Sequence, residues 1–131
     1  MTSPILKAVI DDIAAHGLQF EMRGAVALIR LARPQKRNAL NDGLVKALRD
    51  IFTHMPEEAR VAVIHGEGEH FCAGLDLSEL QERDAAQGVF HSRSWHAALD
   101  ALQFGRVPVI AALHGAVVGG GLELASACHI R

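Results

Sequence analysis

Apolar residues recur along this chain with two periods that alternate. Ile5, Leu6, Val9, Ile10 and Ile13 fall at helical spacing, and His16-Gly17 supplies a stop signal, so the spacing predicts a short helix over residues 5–15. Residues 19–22 and 25–31 read as two strands joined at Arg23-Gly24 by a tight hairpin turn. Pro34 ends the second strand, and residues 33–41 form a polar, basic loop. The helical period returns with Leu44, Leu48, Ile51, Phe52 and Met55 on one face; Asn41 or Asp42 caps that helix and Pro56 ends it. Residues 61–64 are a continuous apolar run that suits a buried parallel strand, and residues 66–68 a loop. Residues 78–104 read as mostly helical, with Trp95, Leu99 and Leu102 on one face and a break at Gly88. Residues 109–113 form another buried strand after Pro108, residues 115–121 a glycine-rich turn, and residues 122–129 a helix of small residues. This strand–helix alternation predicts an α/β domain.

Composition narrows the function classes. The 131 residues fit a single domain, and half of them are apolar with 21% charged, which argues against intrinsic disorder. Lys+Arg number 13 against 15 Asp+Glu, a formal charge of −2 with no basic block, so nucleic acid is not an expected partner. Every apolar run is far short of the ~18–20 residues that span a bilayer, so no membrane role is expected. Met1-Thr2-Ser3-Pro4 carries no charged-then-apolar leader pattern. Cys72 and Cys128 make no disulfide framework, and a reducing cytoplasm is the expected compartment.

Several motif readings fail on spacing. The glycines at 115 and 119–121 do not reproduce a dinucleotide fingerprint: counting from Gly119, the sixth position is Leu124. A phosphate loop needs Lys and Ser/Thr where Gly121 and Leu122 stand. No Gly-x-Ser-x-Gly elbow is present. Among eight histidines, His65/His70 and His91/His96 are each five apart, not the four that places two ligands on one helical face, so no metal site is expected.

Two segments remain: residues 70–77, His-Phe-Cys-Ala-Gly-Leu-Asp-Leu, and residues 114–125, His-Gly-Ala-Val-Val-Gly-Gly-Gly-Leu-Glu-Leu-Ala. Together they resemble the two oxyanion-hole segments of the crotonase superfamily, whose founding member is enoyl-CoA hydratase. Residues 33–41, Arg-Pro-Gln-Lys-Arg-Asn-Ala-Leu-Asn, resemble that family's coenzyme-A loop. The likeness covers about residues 19–131, in order. It implies a crotonase-like ββα spiral fold, with the chain as the N-terminal part of one such domain. Residues 1–17 are then an extension, and the sequence stops before the family's C-terminal helical region.

The implied chemistry has an independent physical basis. Reaction at the α or β carbon of a thioester puts negative charge on the carbonyl oxygen, and two preorganised backbone donors stabilise it by roughly 3 kcal/mol each. Glycine lets backbone approach a ligand, and a helix start offers free N–H groups to an anion. By resemblance the donors are the N–H groups of Leu75 and Gly120. Glu123 matches the glutamate that activates water in the family's hydratases, a role that burial would serve by raising its pKa.

The resemblance also implies coenzyme-A or substrate contacts from Arg33, Lys36, Ala73, Leu75, Asp76, Leu77, Ser78 and Gly120. Ser78 stands where the family often has lysine, which throws phosphate contact onto Arg33, Lys36 or Arg37. Asp76 and Glu79 read from the sequence as helix-start acids. The family's second catalytic glutamate would fall beyond Arg131. The expected function is thus a hydratase or isomerase acting on acyl-CoA thioesters. Coenzyme A enters as part of the substrate, there is no separate cofactor, and the complete protein assembles as a homotrimer or hexamer. Other crotonase reactions, hydrolysis or dehalogenation, and a non-catalytic thioester-binding subunit are the alternatives. Residues 77–102, with Phe90, His91, Trp95 and His96, are the expected acyl-pocket segment, unless Trp95 simply packs with Leu99 and Leu102.

Overall fold

The computed structural model describes residues 3–79 and 84–131. A four-stranded sheet has the order β1 (Leu18–Arg23), β2 (Val26–Leu31), β3 (Val61–Gly66) and β4 (Val109–Ala111). β1 and β2 pair antiparallel from Leu18↔Leu31 to Arg23↔Val26. The turn residues are therefore Gly24 and Ala25, one position later than the spacing predicts, with Gly24 at φ +56° in the left-handed region such turns use. β2, β3 and β4 run parallel. Parallel neighbours need long crossovers, and helices α2 (Asp42–Thr53) and α3 (Ala85–Gln103) supply them. The α/β expectation holds.

Burial alternates along β2 and β3, where Ala27, Ile29, Leu31, Ala62 and Ile64 are enclosed while their neighbours are half-exposed. One sheet face therefore carries the core. α2 covers it with Leu44, Val45, Leu48, Ile51 and Phe52. Asn41, not Asp42, is its cap: the Asn41 side-chain oxygen accepts the Leu44 N–H at 2.8 Å. Helix α1 (Pro4–Ile13) starts where the Ser3 hydroxyl accepts the Leu6 N–H at 3.1 Å, and it packs Leu6 and Ile13 inward beside α2.

Three elements depart most from the sequence reading. α3 runs unbroken through Gly88, because a mid-helix glycine costs only about 1 kcal/mol, too little to interrupt a 19-residue helix. It begins at an Asp84/Gln87 capping box, and a single 3₁₀ turn at Leu77–Glu79 precedes it; the reading of residues 80–83 as helix lies outside the described residues. β4 has three residues rather than five. Helix α4 (Gly120–Ala127) starts two residues before the expected Leu122 and ends two before His129.

Both cysteines are free and enclosed, and burial pushes each thiol above its ordinary pKa, Cys128 to about 11. Among the described residues no helix is long and apolar enough to cross a membrane.

Candidate active site

Past the C-terminal ends of β2, β3 and β4, the three segments singled out by sequence are stitched side by side. Cys72 bridges Val117 in parallel: the Cys72 N–H donates to the Ala116 carbonyl at 3.1 Å, and the Val118 N–H to the Cys72 carbonyl at 3.3 Å. On its other side the same stretch meets the basic loop. The Ala73 N–H donates to the Arg37 carbonyl at 3.0 Å, the Leu40 N–H to Gly74 at 2.6 Å, and the Asp76 N–H to Leu40 at 2.9 Å.

This last pairing fixes the direction of one amide. Gly74 and Asp76 turn toward Leu40, so the N–H of the residue between them, Leu75, points the other way. Gly74, at φ +102°, also lies against the start of α4: a Cβ there would stand 3.0 Å from the Val118 oxygen and 3.3 Å from the Gly120 nitrogen. Only glycine combines that backbone angle with that approach. The result is two backbone amides, Leu75 and Gly120, on adjoining segments, neither with an acceptor among the described residues. Gly120 is the first residue of α4, where the helix leaves its N–H groups unpaired and its dipole favours negative charge.

The remaining predicted residues divide. Asp76 is enclosed and receives three bonds: from the Ser78 hydroxyl at 2.6 Å, the Ser78 N–H at 3.1 Å and Arg33 Nη2 at 2.7 Å. The Ser78 hydroxyl, then Arg33, hold its carboxyl at about 2, below the ordinary value near 3.8. Arg33 also gives Nη1 to the Ala39 carbonyl at 2.7 Å, so its guanidinium is committed inside the protein. Lys36, Arg37, Leu77 and Ser78 are exposed, and Ala73 is half-buried. Leu75 is 38% exposed and does not join the core.

Glu123 sits on the first turn of α4, with its side chain exposed. Helix α4 turns Gly121, Leu124 and Ala125 inward and Glu123 outward. The side chain of Glu79 lies outside the described residues. Phe90 is exposed and, with His91 and Ser94, borders a cavity of about 320 Å³ against Asp42, Lys46 and Arg49 of α2; Leu75 and Gly120 do not line it. No group of three metal-ligating side chains occurs among the described residues.

One residue important to this arrangement went unread in the sequence. Asn38 is fully enclosed at φ +57°; its amide donates to the Glu67 and His70 carbonyls (2.9 and 2.8 Å) and its oxygen accepts the Arg33 N–H (2.9 Å). An Asn in a loop is a fair signal for a left-handed residue, but its partners 29 and 32 positions away leave no local trace. Trp95, expected either in the acyl-pocket segment or packed with Leu99 and Leu102, is enclosed, and its ring underlies Gly120, where a Cβ would come within 2.7 Å of Cη2.

Comparison with known proteins follows this geometry. The family model described as enoyl-CoA hydratase/isomerase matches residues 21–131. A Bacillus subtilis protein named "Putative enoyl-CoA hydratase/isomerase YngF" is 42% identical over 112 residues, covering 81% of this chain and 42% of that protein. The crystal structure of a "putative enoyl-CoA hydratase" from Rhodopseudomonas palustris superposes with TM-score 0.86 at 60% identity, over 88% of this chain and 45% of that one. Another of that description from Thermobifida fusca, in complex with CoA, gives TM-score 0.84 at 32% identity, over 93% and 51%. The chain thus spans about half the length of the relatives it matches. The motifs, the crotonase fold and these matches agree: the chain belongs to the enoyl-CoA hydratase/isomerase family.

Proposed function

We propose that the complete protein is an enoyl-CoA hydratase or isomerase acting on acyl-CoA thioesters, and that this chain supplies its oxyanion hole. The observation that carries this is the adjoining pair of amides at Leu75 and Gly120, without an acceptor among the described residues. A thioester carbonyl oxygen received by both donors gains most when it becomes an enolate oxygen, since the donors are fixed before charge develops. In hydration, water oxygen bonds to the β carbon, its proton passes to Glu123, and the double-bond electrons move onto the carbonyl oxygen held by the two amides. The α carbon then takes a proton from an acid outside this chain, the enolate collapses to the thioester carbonyl, and Glu123 returns the water's proton to solvent. Coenzyme A is part of the substrate and no separate cofactor is needed. With Arg33 committed to Asp76, exposed Lys36 and Arg37 are the cations left in the basic loop for its phosphates. Ala73, Asp76, Leu77 and Ser78 supply or brace the backbone along which the thioester arm lies. A cytoplasmic homotrimer or hexamer is the proposed setting.

The test is turnover of a short 2-enoyl-CoA by the complete protein. Glu123→Gln should lower kcat by at least ~10²-fold, the scale of a general base. A variant with near-parental kcat overturns the role of Glu123. The rival reading is thioester binding without chemistry. Stoichiometric conversion of a crotonyl thioester excludes it.

A further inference from the structure

We infer that Trp95 is the positioning residue for the Gly120 amide, an inference that rests on reading Gly120 as an oxyanion donor. The far edge of the indole six-membered ring lies directly against Gly120: a Cβ built there falls 2.7 Å from Cη2, 3.2 Å from Cζ3 and 3.7 Å from Cζ2. The first residue of α4 therefore rests on the ring through its Cα and can move neither toward α3 nor accept a larger residue.

The ring is itself fixed. Trp95 is 8% exposed. One turn earlier on α3, His91 packs on it with ring centroids 6.1 Å apart and planes inclined at 50°, and His91 Nδ1 meets Asp42 Oδ1, at the first residue of α2, at 3.0 Å. A path of contacts thus runs from the start of α2 to the start of α4.

Among the described residues the enclosed indole N–H has no hydrogen-bond partner. A buried, unsatisfied donor costs stability, so a phenyl ring would suit a purely structural position better. What tryptophan adds over phenylalanine is the reach of its second ring, and that ring is the part touching Gly120. Trp95→Phe therefore removes ring reach without breaking a hydrogen bond to any described residue.

The test uses the complete protein and three measurements: affinity for a saturated acyl-CoA, kcat and KM with a 2-enoyl-CoA, and the near-ultraviolet enolate band of a bound 3-ketoacyl-CoA. Trp95→Phe should keep saturated acyl-CoA affinity within ~3-fold while lowering kcat and the enolate fraction by ~10-fold or more, because a displaced donor is felt chiefly once charge has formed. Gly120→Ala should show the same signature by pressing a methyl onto the ring. The double variant should recover part of the Gly120→Ala loss, because the methyl then fills space the indole vacated. Unchanged kcat and enolate band in Trp95→Phe, or equal weakening of both ligands, overturns the inference. If Trp95→Phe fails to fold, Gly120→Ala decides alone: no change there overturns it. A band absent from the unsubstituted protein overturns the reading of Gly120 and this inference with it, whereas a band that survives Trp95→Phe overturns only the role of Trp95.

Discussion

Arg33 and Asp76, 43 positions apart, meet at 2.7 Å through Nη2 and Oδ2, with both side chains largely withdrawn from water. Both residue types suggest ligand contact when seen in sequence. Here each satisfies the other. The pair, with the Arg33–Ala39 bond, pins the basic loop against the segment that carries Leu75, so its effect on the site is to hold one of the two amides in place.

The pair should make stability pH-dependent at the acid end. Asp76 titrates at about 2 in the folded chain against an ordinary 3.8, so folding favours its ionised form. The stabilisation is fully present above about pH 4 and is lost as pH falls from there through about 2. Thermal melts between pH 2 and 5 should show that decline, and Asp76→Asn should be less stable above pH 4 and flatter across the window. Parallel curves for the two proteins would contradict the assignment.

Asn38 should be among the costliest polar positions. Alanine loses three hydrogen bonds, leaves buried groups unpaired and must still adopt φ +57°, for a combined loss of about 3–4 kcal/mol. Asn38→Gly keeps the backbone angle and should recover about 1 kcal/mol of that. Urea unfolding of the two variants measures the difference; equal losses would mean that backbone strain contributes nothing.

Gly74→Ala should damage both donors at once. The new Cβ meets the Val118 oxygen at 3.0 Å and the Gly120 nitrogen at 3.3 Å, and the φ of +102° is unfavourable for alanine. Expected are a kcat loss of ~10²-fold or more and a destabilisation of about 1–3 kcal/mol. Steady-state kinetics beside a denaturation curve would reveal the opposite case, lost stability with intact kcat.

Phe90→Ala should change little. The ring is 74% exposed, so stability should stay within about 0.5 kcal/mol of the parent. Its cavity faces α2 and not the two amides, so the ratio of kcat/KM between short and long acyl chains should hold within ~3-fold. A shift of ~10-fold would place the acyl chain over that cavity.

What was legible in the sequence was whatever has a local cause. Helical and strand periods, caps and turn residues gave the element order, with errors of one or two residues at Gly24, Gly120 and the end of β4, and a larger one at the start of α3 and its expected break at Gly88. The motifs at 33–41, 70–77 and 114–125 gave the family, because a backbone site needs glycines at fixed places in the chain. Residue types and order alone therefore determined the α/β class, the family and the pair of segments worth inspecting. Only the tertiary structure decided which polar groups are available. It placed Arg33 inside on Asp76, Asn38 in a buried knot, Leu75 at the surface and Trp95 beneath Gly120. Those relationships join residues tens of positions apart, and no local period records them. They follow from which segments the parallel sheet and its crossover helices bring side by side, and hence from which donors find a partner and which are left pointing outward.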